Sequence, residues 1–205
     1  MIIRKYEAAD EDAIYDICLR TGRDGQDATE LYQDPRLVGH VFAGPYIWLE
    51  PDFAFVLDPQ DGRPPIGYVL GTPDTREFEA RSEKEWWPAL RLRYPDPEEV
   101  PADKRTLDQT RAYNIHHPYP ADAEIVAGHP AHLHIDLLPE AQGGGNGRAM
   151  METLFAALAG AGAPGVHLGV SAANTRAVTF YRKLGFTELK RVPGAYFLGR
   201  SLISA

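Results

Sequence analysis

Chemistry-bearing residues concentrate in one stretch, His132 to Arg148, which reads HLHIDLLPEAQGGGNGR. His132, His134 and Asp136 alternate with apolar Leu133, Ile135 and Leu137. That is the period of a strand with one face in a core and the other in a site. A histidine ordinarily titrates near neutral pH, so His134 is a natural candidate proton acceptor, and Asp136 on the same face is a second one. Pro139 stops the strand. Gln142-Gly143-Gly144-Gly145-Asn146-Gly147-Arg148 follows, then Met150, Met151, Leu154, Phe155 and Leu158 at helical spacing. A first helical turn leaves N–H groups unpaired and adds roughly half a positive charge there. Glycines let such a backbone close on a pyrophosphate and take up positive φ.

Two other glycine-loop chemistries fail on particular residues. A nucleotide P-loop needs Lys and then Ser or Thr after its last glycine, whereas Gly147 is followed by Arg148 and Ala149. A dinucleotide turn needs an acidic residue about 20 positions on, ending a second parallel strand, and that region is the loop Ala161 to Pro164. A flexible linker is not bracketed by a clean strand and a clean helix.

The spacing of Gln142, Gly145 and Gly147 resembles the acetyl-CoA loop of the GNAT superfamily of N-acetyltransferases. Asn174, Ala177, Tyr181, Lys183, Gly185 and Phe186 stand at the spacing of that family's other signature. The resemblance implies an α/β fold with a central, largely antiparallel sheet, splayed at its fourth and fifth strands and flanked by helices. It also implies acetyl-CoA as co-substrate and acetyl transfer to a primary amine by direct attack in a ternary complex. The backbone of Leu137 and Leu138 would pair with the pantetheine arm. Gln142 and the run Gly143, Gly144, Gly145, Asn146, Gly147 and Arg148 would take the pyrophosphate. Asn174, Ala177 and Lys183 would complete the cofactor side, and Tyr181 would donate a proton to the CoA sulfur. The His132-Leu133-His134 run is similar to that of arylalkylamine N-acetyltransferases, one residue out of their register. Asp136 therefore ranks just ahead of His134 as base. LHIDLLPEAQGGGNGR and Trp86-Trp87-Pro88 look like bacterial acetyltransferases related to the C-terminal domain of animal O-GlcNAcase. The alternative reading is a non-catalytic acetyl-CoA-binding regulatory or interaction module.

The elements that must hold these residues are legible around them. At 205 residues and 44% apolar content the chain suits one domain. Residues 2 to 6 read as a strand, followed by a helix from about Ala8 that buries Ile14, Ile17 and Cys18, and by a second short helix over Ala28 to Leu37 before Gly39. Phe53 to Leu57 and Ile66 to Leu70 read as a hairpin. An insert from Thr72 to Pro130 predicts a helix over Thr75 to Arg93, interrupted near Pro88, and another over Lys104 to Tyr113. Gly165 to Val170 is a buried strand, Asn174 caps the next helix, Gly185 ends it, and a last strand pair flanks Pro193-Gly194.

A net charge of −8 argues against nucleic acid as a partner. The single cysteine, Cys18, rules out an internal disulfide. No apolar run approaches a membrane span, and the N-terminus lacks a signal peptide's apolar region, so a cytoplasmic protein is expected, able to form a homodimer. His116, His117, His129, His132 and His134 lack zinc-site spacing, and no metal is expected. With Trp86, Trp87, Tyr113 and Tyr119 they are expected to line an acceptor cleft for a small or aromatic amine or amino sugar, ahead of a lysine peptide.

Overall fold

The computed structural model describes residues 1–203. β1 (Ile2–Lys5) leads through a 3-10 turn into α1 (Glu11–Thr21), whose apolar stripe Ile14, Ile17, Cys18 and Leu19 is buried. Arg4 clamps this junction, donating to both Asp10 and Asp58. The helix expected over Ala28 to Leu37 does not form. A 3-10 turn at Thr29–Leu31 is all that appears there, because Pro35 cannot lie inside a helix. Helix resumes as α2 (Leu37–Phe42) and α3 (Gly44–Leu49). Gly39 thus lies inside a helix and not beyond its end. A Cβ there would stand 2.4 Å from Tyr15 Cδ1, so the glycine lets α2 close on α1.

The hairpin forms as β2 (Ala54–Asp58) and β3 (Gly67–Thr72), pairing Ala54 with Leu70. In the insert, α4 (Thr75–Arg81), a π turn (Ser82–Trp86) and α5 (Trp87–Arg93) form one rod. The interruption expected at Pro88 is realised as that π turn, where Trp87 N–H reaches back to Ser82 O. α6 (Leu107–His116) opens on a capping box made by Thr106 and Gln109, and α7 (Ala123–Gly128), absent from the sequence reading, is capped by Asp122. Trp87, Leu90, Leu37 and Ile115 form a small core of their own with Trp86 and Tyr94 against it.

β4 (Ala131–Leu137), α8 (Asn146–Gly160), β5 (Gly165–Ser171), α9 (Thr175–Lys183), β6 (Thr187–Val192) and β7 (Ala195–Ser201) complete the chain. The sheet runs β1-β2-β3-β4-β5-β7-β6, with β4 and β5 parallel and the other neighbours antiparallel. β4 pairs with β3 along its length, from Leu137 opposite Gly67 to His132 opposite Thr72. With β5 it pairs only at Ala131 and His132. Beyond His132 the two strands part, as the splay expected from sequence requires.

Each face of β4 meets a different layer. Gly71, opposite Leu133, faces α8, since a Cβ there would lie 3.1 Å from Leu154 Cδ2. The alternate residues His132, His134 and Asp136 turn to the other face, over which α1 and α3 pack.

Candidate active site

Parting from β5 leaves one edge of β4 without a partner strand. Successive backbone N–H groups alternate in direction along a strand. Leu138 N–H points to β3, where it meets Ile66 O at 3.0 Å, so the N–H groups of Leu137 and Ile135 point into the open wedge. Leu138, paired with Leu137 in the sequence reading, also has its carbonyl taken, by Ala141 N–H at 2.9 Å. Of the two, only Leu137 offers its N–H to the wedge.

The glycine loop stands at the mouth of that wedge. Gly143, Gly144 and Gly145 have φ of 85, 57 and 84°, left-handed backbone that other residues reach only with strain. Two side-chain amides hold it: Gln142 Nε2 donates to Leu137 O at 2.8 Å and Asn146 Nδ2 to Ala141 O at 2.9 Å. These two residues brace the loop, while the N–H groups of Gly144, Gly145, Gly147 and Arg148 donate to no acceptor among the described residues. A Cβ on Gly147 would meet Phe180 Cζ at 3.2 Å and Leu137 Cδ1 at 3.3 Å, so the start of α8, the end of β4 and α9 converge there. Arg148 donates to Lys183 O at 3.2 Å, which puts two exposed cations on the rim. Asn174 caps α9 as expected, accepting from Ala177 N–H at 3.0 Å.

On α9, Tyr181 is buried against Phe180 and Phe186. Its hydroxyl has no protein partner among the described residues, yet it is not one of the sealed, orphaned polar atoms, so it opens to solvent. Burial and then the charge of Asp136 push its phenol well above the ordinary tyrosine range.

Asp136 faces Tyr68 on β3, its register partner, and accepts that hydroxyl at 2.6 Å. Burial raises its carboxyl to about 6 even though the bond from Tyr68 and the nearby Thr21 hydroxyl pull it down. His134 stands edge-on to Phe42 at 5.9 Å and Tyr46 at 5.2 Å, and burial lowers it to about 4. His132 is tied into a chain. Thr75 gives its one hydroxyl proton to Pro130 O at 2.6 Å, so it accepts from His132 Nδ1 at 2.7 Å. Nε2 then accepts from Tyr46 at 2.6 Å, and a neutral ring is locked in place. This histidine joins the insert to α3 and β4 and has no nitrogen left for chemistry.

The other histidines and the insert's aromatics stand elsewhere, contrary to the expected cleft lining. His116 bonds to Tyr94 O, His117 to Asp96 and Trp86 to His40 O, and Trp87 lies in the insert's own core. Asp96, Glu98 and His117 bring their ligand atoms within 4.8 Å of one another at the surface. Tyr68, Tyr46, Phe42 and Thr21 escaped the sequence reading. Only Tyr68 carried a signal, as a polar-tipped residue in an apolar strand.

Residues 12–186 match the family model described as Acetyltransferase (GNAT) family. The chain belongs to that family. Among its relatives, this GNAT chain is 29% identical to rat O-GlcNAcase (Rattus norvegicus) over 209 residues, 98% of this chain and 22% of that protein, so it spans about a fifth of that relative. It is 33% identical to the mycothiol acetyltransferase of Streptomyces griseus over 129 residues, 55% of this chain and 42% of that one. The crystal structure of SsHAT superposes with a TM-score of 0.92 at 44% identity, covering 99% of this chain and 98% of that one. That likeness includes the GNAT sheet with its parallel β4 and β5. No helix among the described residues is long and apolar enough to cross a membrane.

Proposed function

We propose that this GNAT chain transfers acetyl from acetyl-CoA to a primary amine by direct attack, with both substrates bound at once. One observation carries the reading. The free edge of β4 and the left-handed glycine loop meet at the end of the strand that carries Asp136, and the charge of Asp136 acts on the Tyr181 phenol. The donor set suits a CoA thioester: converging N–H groups and two cations for the pyrophosphate, and a strand edge for the amide-bearing arm. Acetyl-CoA supplies the activated acyl group.

Asp136 takes the proton from the acceptor's ammonium. At about 6 its carboxyl lies closer to working pH than His134 at about 4, and a base is most effective near that pH. The freed amine nitrogen forms its bond to the carbonyl carbon while the N–H of Leu137 stabilises the oxygen. As the C–S bond breaks, the sulfur keeps the electron pair and takes the proton of Tyr181, the nitrogen gives its second proton to solvent as the amide forms, and solvent reprotonates Tyr181. An acetyl-cysteine route finds no support, because Cys18 is buried with its thiol pushed up to about 12.

Free thiol released from acetyl-CoA, followed over small amines, amino sugars and lysine peptides, tests the proposal. Release with small amines or amino sugars is the expected result. A preference for lysine peptides overturns that acceptor class. Tight acetyl-CoA binding without release for any acceptor makes the chain a non-catalytic acetyl-CoA-binding module.

A further inference from the structure

Arg111, on insert helix α6, is a cation without a carboxylate. Among the described residues it forms no ion pair; its side chain makes one hydrogen bond, from Nε to the Tyr32 hydroxyl at 3.2 Å. Its guanidinium carbon lies 4.9 Å from the Phe42 ring centroid, and the other neighbour of that ring, 5.9 Å away, is His134. The same aromatic ring therefore touches both a positive charge and the polar face of β4. The buried Cys18 thiol feels the charges of both Asp136 and Arg111.

The geometry of this fork is specific. Nε–H is spent on Tyr32 and the guanidinium lies over the ring of Phe42, so the four N–H groups of Nη1 and Nη2, which bond to no group among the described residues, are left for a ligand. A guanidinium held in one plane with both terminal nitrogens free matches a carboxylate bidentately. His132 and His134 are neutral at pH 7 because burial lowers both, so neither competes as a second cation. A polybasic peptide would bring further positive charge toward Arg111.

We infer that Arg111 anchors the acceptor through a carboxylate, so that the acceptor is an amino acid or another amine bearing an acid group, its amine reaching Asp136 while its carboxylate meets the Arg111 fork. This rests on the acetyltransferase reading for its amine, and on Arg111, Tyr32 and Phe42 for its acid. The carboxylate and the amine must be near enough to bridge Arg111 and β4 across a single ring, which suits a small acceptor better than a chain-internal lysine.

Two readouts separate this inference from the reading beneath it. In the first, calorimetry with CoA present compares phenylalanine with phenylalaninamide, and 6-aminohexanoate with its amide. In the second, acetyl-CoA thiol release is followed with the same pairs. The expected result is at least about tenfold tighter binding, and a correspondingly lower KM, for an acid than for its amide, because the amide cannot form the charge-assisted bidentate pair. Arg111→Gln should erase that gap and Arg111→Lys should restore part of it, with the fold of each checked by circular dichroism. Acids and amides that bind alike, or a gap that survives Arg111→Gln, overturn the inference. Selective acid binding without thiol release upholds the anchor and sinks the acetyltransferase reading instead.

Discussion

At the scale of single residues, Tyr181 and Asp136 have separable roles. Tyr181→Phe removes a proton donor and keeps the ring that packs on Phe186. Turnover should fall by about 10²-fold or more, the usual worth of a general acid, with acetyl-CoA affinity almost unmoved. Steady-state kinetics beside calorimetry would check it, and an equal loss in both would make Tyr181 a binding residue. Asp136 must be ionised to accept a proton, so kcat/KM should rise with pH through about 6 and then level off. Asp136→Asn should abolish that rise along with activity. The same shift has a stability sign. A carboxyl raised from its unfolded value of about 3.9 binds its proton more tightly when folded. Its contribution to stability is full below that unfolded value and is lost as pH rises through about 6. A side-chain amide in place of the Asp136 carboxyl would keep an acceptor for Tyr68 and carry no charge. Asp136→Asn should therefore match or exceed the wild-type Tm at pH 7.5 and lose that advantage below pH 4. A variant less stable at pH 7.5 would mean that the carboxylate is held there by more than Tyr68.

At the scale of elements, the wedge and the loop that fills its mouth depend on one turn. Gly145 is the left-handed cap of α8, with φ of 84° and open space around the missing Cβ. An alanine there fits sterically but not conformationally, at a cost of about 1–2 kcal/mol. Gly145→Ala should therefore weaken acetyl-CoA binding and lower Tm together, and a valine, branched at Cβ, should do both more strongly. Unchanged acetyl-CoA affinity in a strained, less stable variant would move the anion site off this loop. The insert follows a different logic. Its own core around Trp87 and Ile115 supports α6, and α6 in turn presents Arg111 beside Phe42. The insert's tryptophans are thus spent on packing, and Arg111 is the group proposed to meet the acceptor.

At the scale of the whole molecule, acetyl-CoA that binds only the folded chain should add about 2.7 kcal/mol at a hundredfold excess over its Kd. For a chain of this size that is a Tm rise of roughly 5–10 °C, readable in a thermal shift titration. A folded protein that shows no shift at millimolar acetyl-CoA would have no such site. The binding motifs and most strands were legible from sequence because each is local. Period-two alternation marks β4 whatever packs on it, and glycines at Gly143, Gly144 and Gly145 report the φ values the turn demands. The cap at Asn174 is likewise a contact three residues long. The helices after Pro35 were misplaced because Gly39 reads locally as a stop, whereas its missing side chain makes room for Tyr15 across a helix pair. The pairing of Asp136 with Tyr68 spans 68 positions, the link from His132 to Tyr46 spans 86, and no periodicity encodes either. Sequence by itself determined that this chain has a strand, a glycine-rich turn and a helix in GNAT order. Tertiary structure alone decided which histidine is locked, which carboxylate is buried enough to titrate near 6, and that Arg111 stands one ring away from them, because burial and cross-sheet register exist only once the layers have packed.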